Sequence, residues 1–185
     1  MWERSGSLEI LVVILDLKSL IRNVPDYPSG GVLFRDLTLL MGNPEAMRHI
    51  TATLAGHLRS RRIEAVAAID SRGFIFGAPV AYELGIPFVP VRKAGKLPPP
   101  VIGVDYILEY GTGRLEMNPS SVRPGQKLAV LDDLLATGGS AGAAVELITS
   151  LGASIISTAF VIELTFLRGR ETLPPGTDVF SMVQY

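Results

Sequence analysis

The sequence predicts an α/β protein: a central, mostly parallel β-sheet flanked by helices. Three observations lead there. Short apolar runs of strand length recur at Ile63–Ile69, Pro87–Val91, Lys127–Leu131, Ser154–Ile162 and Asp178–Val183, as buried parallel strands require. Helical patterns separate several of them, the alternation that builds parallel sheets. Two of the strands, ending at Ile69 and Leu131, run into acids, hydroxyls and glycines just before a helix start, where open α/β sheets hold their ligands.

Bulk properties set the bounds. A chain of 185 residues is expected to form one domain, 1–185, with a full core. Hydrophobic content of 48 % and mean hydropathy of +0.35 indicate a packed globule. Net charge of −1 argues against a nucleic-acid surface. The absence of cysteine excludes disulfides and thiolate metal sites and points to a reducing, cytoplasmic location. No apolar run approaches the ~20 residues of a membrane span.

The elements follow in order. Ile10–Leu15 is apolar but six residues long, with Glu3, Arg4 and Glu9 beside it rather than a cationic cluster, so a signal peptide is not expected. An extra strand, a surface buried in an oligomer and an upstream translation start all stay open. Asn43-Pro44-Glu45 is a helix start: a capping Asn, Pro at the first position and an early acid. Met47, Ile50, Leu54 and Leu58 mark its buried face to about Ser60, leaving His49 and His57 on a solvated surface. A second helix runs from Phe74 to about Leu84, closed by Gly85. Between Arg92 and Gln126 the rhythm stops, an interval long enough to be a functional lid. Within it, Asp105–Tyr110 and Arg114–Met117 flank Gly111-Thr112-Gly113, a hairpin pattern. Past Gly139, residues Ala144, Leu147, Ile148 and Leu151 form the stripe of a further helix.

The densest chemistry lies in Lys127–Ser140, KLAVLDDLLATGGS. The loop Ala136-Thr137-Gly138-Gly139-Ser140 is suited to a phosphate: glycines admit an anion close to the backbone, and amides at a helix start are free to donate. Thr137 and Ser140 add hydroxyls, and hydrogen bonds to a charged group contribute about 1.5–3 kcal/mol each. The adjacent carboxylates Asp132 and Asp133 would repel a phosphate, whereas vicinal ribose hydroxyls would donate to them. A kinase-type P-loop is excluded, because no Lys precedes the Ser. Asp70-Ser71-Arg72-Gly73 repeats the plan of strand end, acid, hydroxyl, glycine and helix, with Arg72 a forked cation suited to pyrophosphate.

This run resembles the signature of the type I phosphoribosyltransferases, which bind 5-phosphoribosyl 1-pyrophosphate (PRPP), and DDLLATGGS is most similar to the adenine phosphoribosyltransferase form. The likeness spans residues from Asp16 onward, including Pro25-Asp26-Tyr27-Pro28, Gly31–Asp36, RKAGKLP from Arg92, Tyr106–Gly111 (YILEYG) and Glu163-Leu164 through Gly169-Arg170-Glu171. It implies the family's fold, with residues 16–42 as a base-selecting hood, 93–118 as a flexible lid, and 1–15 as an extension outside the match. It implies that Ser71, Arg72 and Gly73 hold pyrophosphate, and that Arg92, Lys93 and Lys96 close over PRPP, with Arg92 the candidate to reach the neighbouring subunit of a homodimer. Asp132 and Asp133 would take the ribose, and Ala136, Thr137, Gly138, Gly139 and Ser140 the 5′-phosphate.

By the same resemblance, Leu33 and Arg35 contact adenine, Leu164 packs on one face of the base and Ala136 on the other. Glu109 assists proton transfer at the purine or stabilises its positive charge, and Tyr110 helps close the site. Magnesium rides on PRPP without direct protein ligands. Departures from the family pattern are small: Ser140 for Thr, Gly30 for Pro, Leu39 where Pro is usual, and Asp105 for a small or polar residue. The expected reaction is adenine plus PRPP to AMP and pyrophosphate. Transfer to another base, or PRPP binding by a non-catalytic regulator, are the alternatives.

Overall fold

The computed structural model describes residues 15–107 and 112–185, and these fall into two compact units, Met1–Ala46 and Met47–Tyr185. Residues 10–14 of the amino-terminal apolar run, and Glu109 and Tyr110, lie outside the described residues.

In the first unit Asp16 starts a 3-10 turn, Leu17–Leu20, by accepting from the Lys18 amide at 3.0 Å. Strands β1 (Arg22–Pro25) and β2 (Leu33–Asp36) then pair antiparallel, from Arg22 opposite Asp36 to Pro25 opposite Leu33. Asp36 joins the strand pair to the short helix α1 (Thr38–Met41). It takes Arg22 Nη2 at 2.7 Å and caps Thr38 through both the amide (2.9 Å) and the hydroxyl (2.6 Å). The Thr38 hydrogen bonds lead in lowering its carboxyl to about 2. Leu33 opens β2 exposed, while Arg35 is buried and donates to Asn23 Oδ1.

Asn43 starts helix α2 (Pro44–Arg59) as expected, its Oδ1 accepting from the Glu45 and Ala46 amides. In the second unit, Ile50, Leu54 and Leu58 are fully buried along this helix. Strand β3 (Ala65–Ile69) is buried at every residue because helices cover both sheet faces. Helix α3 (Arg72–Leu84) begins two residues earlier than the sequence indicated and stops at Gly85, whose φ of 66° is the left-handed conformation that suits glycine. Gly77 lets α3 lie close on β3; a Cβ there would stand 2.5 Å from that of Ala68.

Strand β4 (Phe88–Lys93) pairs parallel with β3. The expected hairpin is present, but in a different register. Strands β5 (Ile102–Ile107) and β6 (Thr112–Met117) pair with Tyr106 opposite Gly113, so Gly113 is a strand residue rather than part of the turn. The reason is steric: the Tyr106 ring lies over Gly113, where a Cβ would meet Tyr106 Cζ at 2.5 Å. This glycine is therefore a space for an aromatic ring.

Strand β7 (Lys127–Leu135) also differs from expectation, extending four residues past Leu131. Its neighbour β3 pairs with it only as far as Leu131, but strand β8 (Ser154–Glu163) continues alongside to Leu135 opposite Glu163. Asp132 and Asp133 thus lie in a strand that overhangs β3. Helix α4 (Gly139–Ser150) and strand β9 (Asp178–Gln184) complete a seven-stranded sheet in the order β5-β6-β4-β3-β7-β8-β9, parallel from β4 through β9.

His49 is exposed, but His57 is not the solvated residue the sequence suggested. Its ring stacks on Phe180 with centroids 4.2 Å apart, and Nε2 lies 3.1 Å from Asp178 Oδ2 and 3.3 Å from Ser157 Oγ. Local helical periodicity cannot report that β9 arrives beside this face. Burial, followed by the charge on Arg61, lowers the His57 pKa from its ordinary 6.5. Among the described residues no helix is long and apolar enough to cross a membrane.

Candidate functional site

The carboxyl ends of β3 and β7 meet across the first turn of α3. β3 ends at Ile69 and is followed by Asp70, joined to Ser71 by a cis peptide bond, and Arg72 begins the helix. From there Arg72 reaches the next strand, its Nε 2.8 Å from Asp133 Oδ2. That oxygen is buried and accepts no aligned hydrogen bond; the contact with Arg72 is a charge contact. Gly73 makes the approach possible. A Cβ there would stand 2.8 Å from Asp132 Oδ1 and 3.0 Å from the Leu131 carbonyl oxygen, so a larger residue would push helix and acids apart. Ser71 is exposed at the lip of this loop.

The two acids occupy different surroundings. Asp132 is half-buried, and its Oδ1 accepts from the Asp133 amide at 2.9 Å. Loss of water, followed by repulsion from Asp133, holds its carboxyl well above the ordinary 3.8. The pair therefore favours ligand groups that donate hydrogen bonds over further negative charge.

On the other side of β3, Arg92 leaves β4 and donates through Nε to Asp70 Oδ2 at 3.1 Å and through Nη1 to the Lys96 carbonyl at 3.1 Å. Its guanidinium also lies 5.9 Å from the centre of the Phe74 ring. Lys93 and Lys96 are exposed. The structure brings Arg92 to the Asp70–Gly73 loop and keeps the two lysines in solvent beside it.

Beyond β7 the chain turns through Ala136, the exposed Thr137 and the buried Gly138 into α4. Gly138 has φ 86°, and its α-carbon faces Thr172 Oγ1 and the Gly169 carbonyl, leaving no room for a side chain. Gly169 in turn packs against the Ala136 carbonyl, and Thr172 Oγ1 donates to the Gly169 carbonyl at 2.8 Å. A turn at Gly169–Thr172 thus backs the loop. With no side-chain cap on α4, its first amides remain open to an anion. The end of β5 approaches the same place, since a Cβ on Gly139 would stand 2.8 Å from the Ile107 carbonyl oxygen. Leu164 is buried beside Ala136, its amide donating to the Leu135 carbonyl at 2.9 Å.

One feature escaped sequence reasoning. Glu163, 4 % exposed, accepts from Arg170 Nε and Nη2 at 2.6 Å each, from Ser181 Oγ at 2.5 Å and from Gln184 Nε2 at 3.3 Å. The Arg170 hydrogen bonds lead in lowering its pKa below the ordinary 4.5. An acid closing an apolar strand, with an arginine seven residues on, was the available signal. Leu33 and Arg35 belong to the first unit, as described above.

Comparison with known proteins shows the family to which the chain belongs. Residues 39–184 match the family model described as the phosphoribosyl transferase domain. The chain is 50 % identical over 170 residues to an adenine phosphoribosyltransferase of Chloroflexus aurantiacus, covering 92 % of this chain and 98 % of that protein. It superposes with a TM-score of 0.88 on the crystal structure of adenine phosphoribosyltransferase from Thermoanaerobacter pseudethanolicus, at 44 % identity over 91 % of this chain and 98 % of that one. The adenine phosphoribosyltransferase of Saccharomyces cerevisiae, complexed with an imino-altritol bisphosphate and adenine, gives a TM-score of 0.85 at 38 % identity, covering 90 % of this chain and 96 % of that one.

Proposed function

Since the chain belongs to the adenine phosphoribosyltransferase family, we propose that it transfers the 5-phosphoribosyl group of PRPP to adenine, giving AMP and pyrophosphate. The observation that supports this most is the adjacency of a phosphate-type loop, two carboxylates on the overhang of β7, and Arg72 at 2.8 Å from one of them.

Each group has a role in that reading. The amides of Gly138, Gly139 and Ser140, with the Thr137 and Ser140 hydroxyls, hold the 5′-phosphate. Asp132 and Asp133 accept hydrogen bonds from the ribose hydroxyls. Ser71, Arg72 and the Gly73 amide hold pyrophosphate, helped by Lys93, Lys96 and, from the neighbouring subunit of a homodimer, Arg92. Leu164 and Ala136 sandwich the base, with Leu33 and Arg35 of the hood reading its edge.

In the reaction a purine ring nitrogen forms a bond to the ribose anomeric carbon as the bond to pyrophosphate breaks. The electron pair leaves on the pyrophosphate oxygen, and the purine loses a proton. Charge builds on the sugar before the new bond is complete, so water must be excluded. Glu109 and Tyr110 of the lid are assigned to that step, Glu109 assisting proton transfer at the purine or stabilising its charge. Catalysis rests on positioning and charge stabilisation rather than on a covalent intermediate.

Magnesium fits this reading as a passenger of PRPP. Asp132 and Asp133, the acids of the site, suit hydroxyl donors. Carried in with PRPP, magnesium would offset the charge of the pyrophosphate. The proposal includes a cytoplasmic setting.

The decisive experiment incubates the protein with labelled adenine, PRPP and magnesium. AMP and released pyrophosphate are expected, with hypoxanthine, xanthine and orotate turned over poorly; no AMP would overturn the reading. Light scattering of the eluted protein tests the homodimer.

A further inference from the structure

We propose that Glu163 and Arg170 form a positioning pair that seats the phosphate loop and so sets affinity for the phosphoribosyl ligand. The inference rests on the reading that residues 136–140 hold a sugar phosphate, and it assigns a role to two residues that reading leaves unused.

The contacts run outward from Glu163. This residue ends β8, opposite Leu135 on one side and Gln184 on the other. Leu135 is the last residue before the phosphate loop. A carboxylate with 4 % exposure at such a place needs a partner, because burying a lone charge is costly. Arg170 supplies it with two parallel bonds of 2.6 Å, the bidentate fork that fixes geometry as well as charge. The same guanidinium reaches β9, donating through Nη1 to the Val179 carbonyl at 3.2 Å.

Arg170 sits in the turn that backs the phosphate loop. Its neighbour Gly169 packs against the Ala136 carbonyl, and Gly138 packs against both the Gly169 carbonyl and Thr172 Oγ1. These contacts are too close for any side chain at either glycine, so loop and turn move together. Pinning Arg170 to the sheet therefore pins Gly138, whose left-handed backbone aims the amides of the α4 start. Among the described residues the carboxylate's partners Arg170, Ser181 and Gln184 lie on the turn and on β9. The pair acts through the loop, and the reaction assigns neither residue to substrate.

The test compares Arg170→Met and Arg170→Lys with the parent chain. In Arg170→Met the KM and Kd for PRPP are expected to rise about tenfold while kcat stays within about threefold, because the loop binds but does not react. Arg170→Lys keeps the charge but loses the fork, and an intermediate rise of about threefold is expected. Hydrogen exchange in the ligand-free proteins supplies a readout independent of turnover: the amides of residues 137–140 should exchange about tenfold faster in Arg170→Met.

Unchanged PRPP affinity with unchanged loop exchange would overturn the proposal, whatever happens to Tm. A fall in kcat with KM intact would overturn it too. Should Arg170→Met fail to fold, Arg170→Lys decides by the same criteria. Failure of the parent chain to make AMP would count against the proposed function, whereas the exchange comparison judges the positioning pair in either case.

Discussion

Arg72 and Asp133 hold each other across two strand ends, Nε to Oδ2 at 2.8 Å. The cation assigned to pyrophosphate is thus engaged by the carboxylate assigned to ribose. A bound phosphoribosyl ligand offers each a new partner: phosphate oxygens for Arg72, hydroxyls for Asp133. Asp133→Ala is therefore expected to lower kcat/KM for PRPP at least about 100-fold, the scale on which preorganised polar contacts act, while circular dichroism stays that of the parent. Steady-state kinetics with PRPP varied checks it; unchanged kinetics would remove Asp133 from the ribose role.

Asp132 should show the opposite signs for stability and activity. Its folded carboxyl is raised above the ordinary 3.8 by burial and by Asp133, so the folded state holds that proton more tightly than the unfolded chain. Stability is then lost as pH rises from 3.8 through the raised value. Asp132→Asn removes the penalty, and Tm is expected to rise by about 2–4 °C at neutral pH, with the gain vanishing in acid. Turnover should fall in the same variant, as expected where a site is held at some cost to stability. Thermal melts across pH, paired with AMP formation, measure both.

Two glycines of α3 should separate packing from chemistry. At Gly77 an added Cβ would meet that of Ala68 at 2.5 Å, deep under the helix and away from the acids. Gly77→Ala is expected to destabilise the fold by about 1–3 kcal/mol through overpacking, with turnover of the folded fraction preserved. At Gly73 the clash is with Asp132 Oδ1 and the Leu131 carbonyl, at 2.8 and 3.0 Å. Gly73→Ala should displace Arg72 and cost activity more than stability. Urea unfolding and kcat/KM on the same preparations test the contrast.

The opposite end of the sheet carries the clearest acid-sensitive contact. Asp178 accepts from Arg61 Nε at 2.5 Å and Nη2 at 3.1 Å, and these bonds lead in lowering its carboxyl to about 2. A lowered carboxyl adds stability that is fully present above the ordinary 3.8 and lost as pH falls through about 2. Asp178→Asn should therefore lower Tm by a constant amount above that window, the gap from the parent closing within it. The solvent exposure of Asp178 keeps the effect modest. A gap that persisted below pH 2 would contradict the assignment.

How much of this was legible beforehand depends on how local each signal is. The run from Lys127 to Ser140 carries its strand, acids, glycines and helix start within fourteen consecutive residues, so the strand–loop–helix turn proposed to hold a phosphate could be read directly. The helix at Asn43 and the stop at Gly85 were equally local, each set by the conformational preferences of its own residues. The base was another matter, since only likeness to a family named adenine.

Sequence alone determined the alternation of strands and helices, the two loops and the residue types that could meet a phosphorylated sugar, because periodicity and backbone preference act between near neighbours. Tertiary structure decided which groups face each other. It extended β7 beside β8, laid Tyr106 over Gly113, brought His57 to Phe180 and joined Glu163 to Arg170. Those outcomes depend on which strand lies next to which, and hydrogen bonding and close packing between distant segments fix that only when the chain has folded.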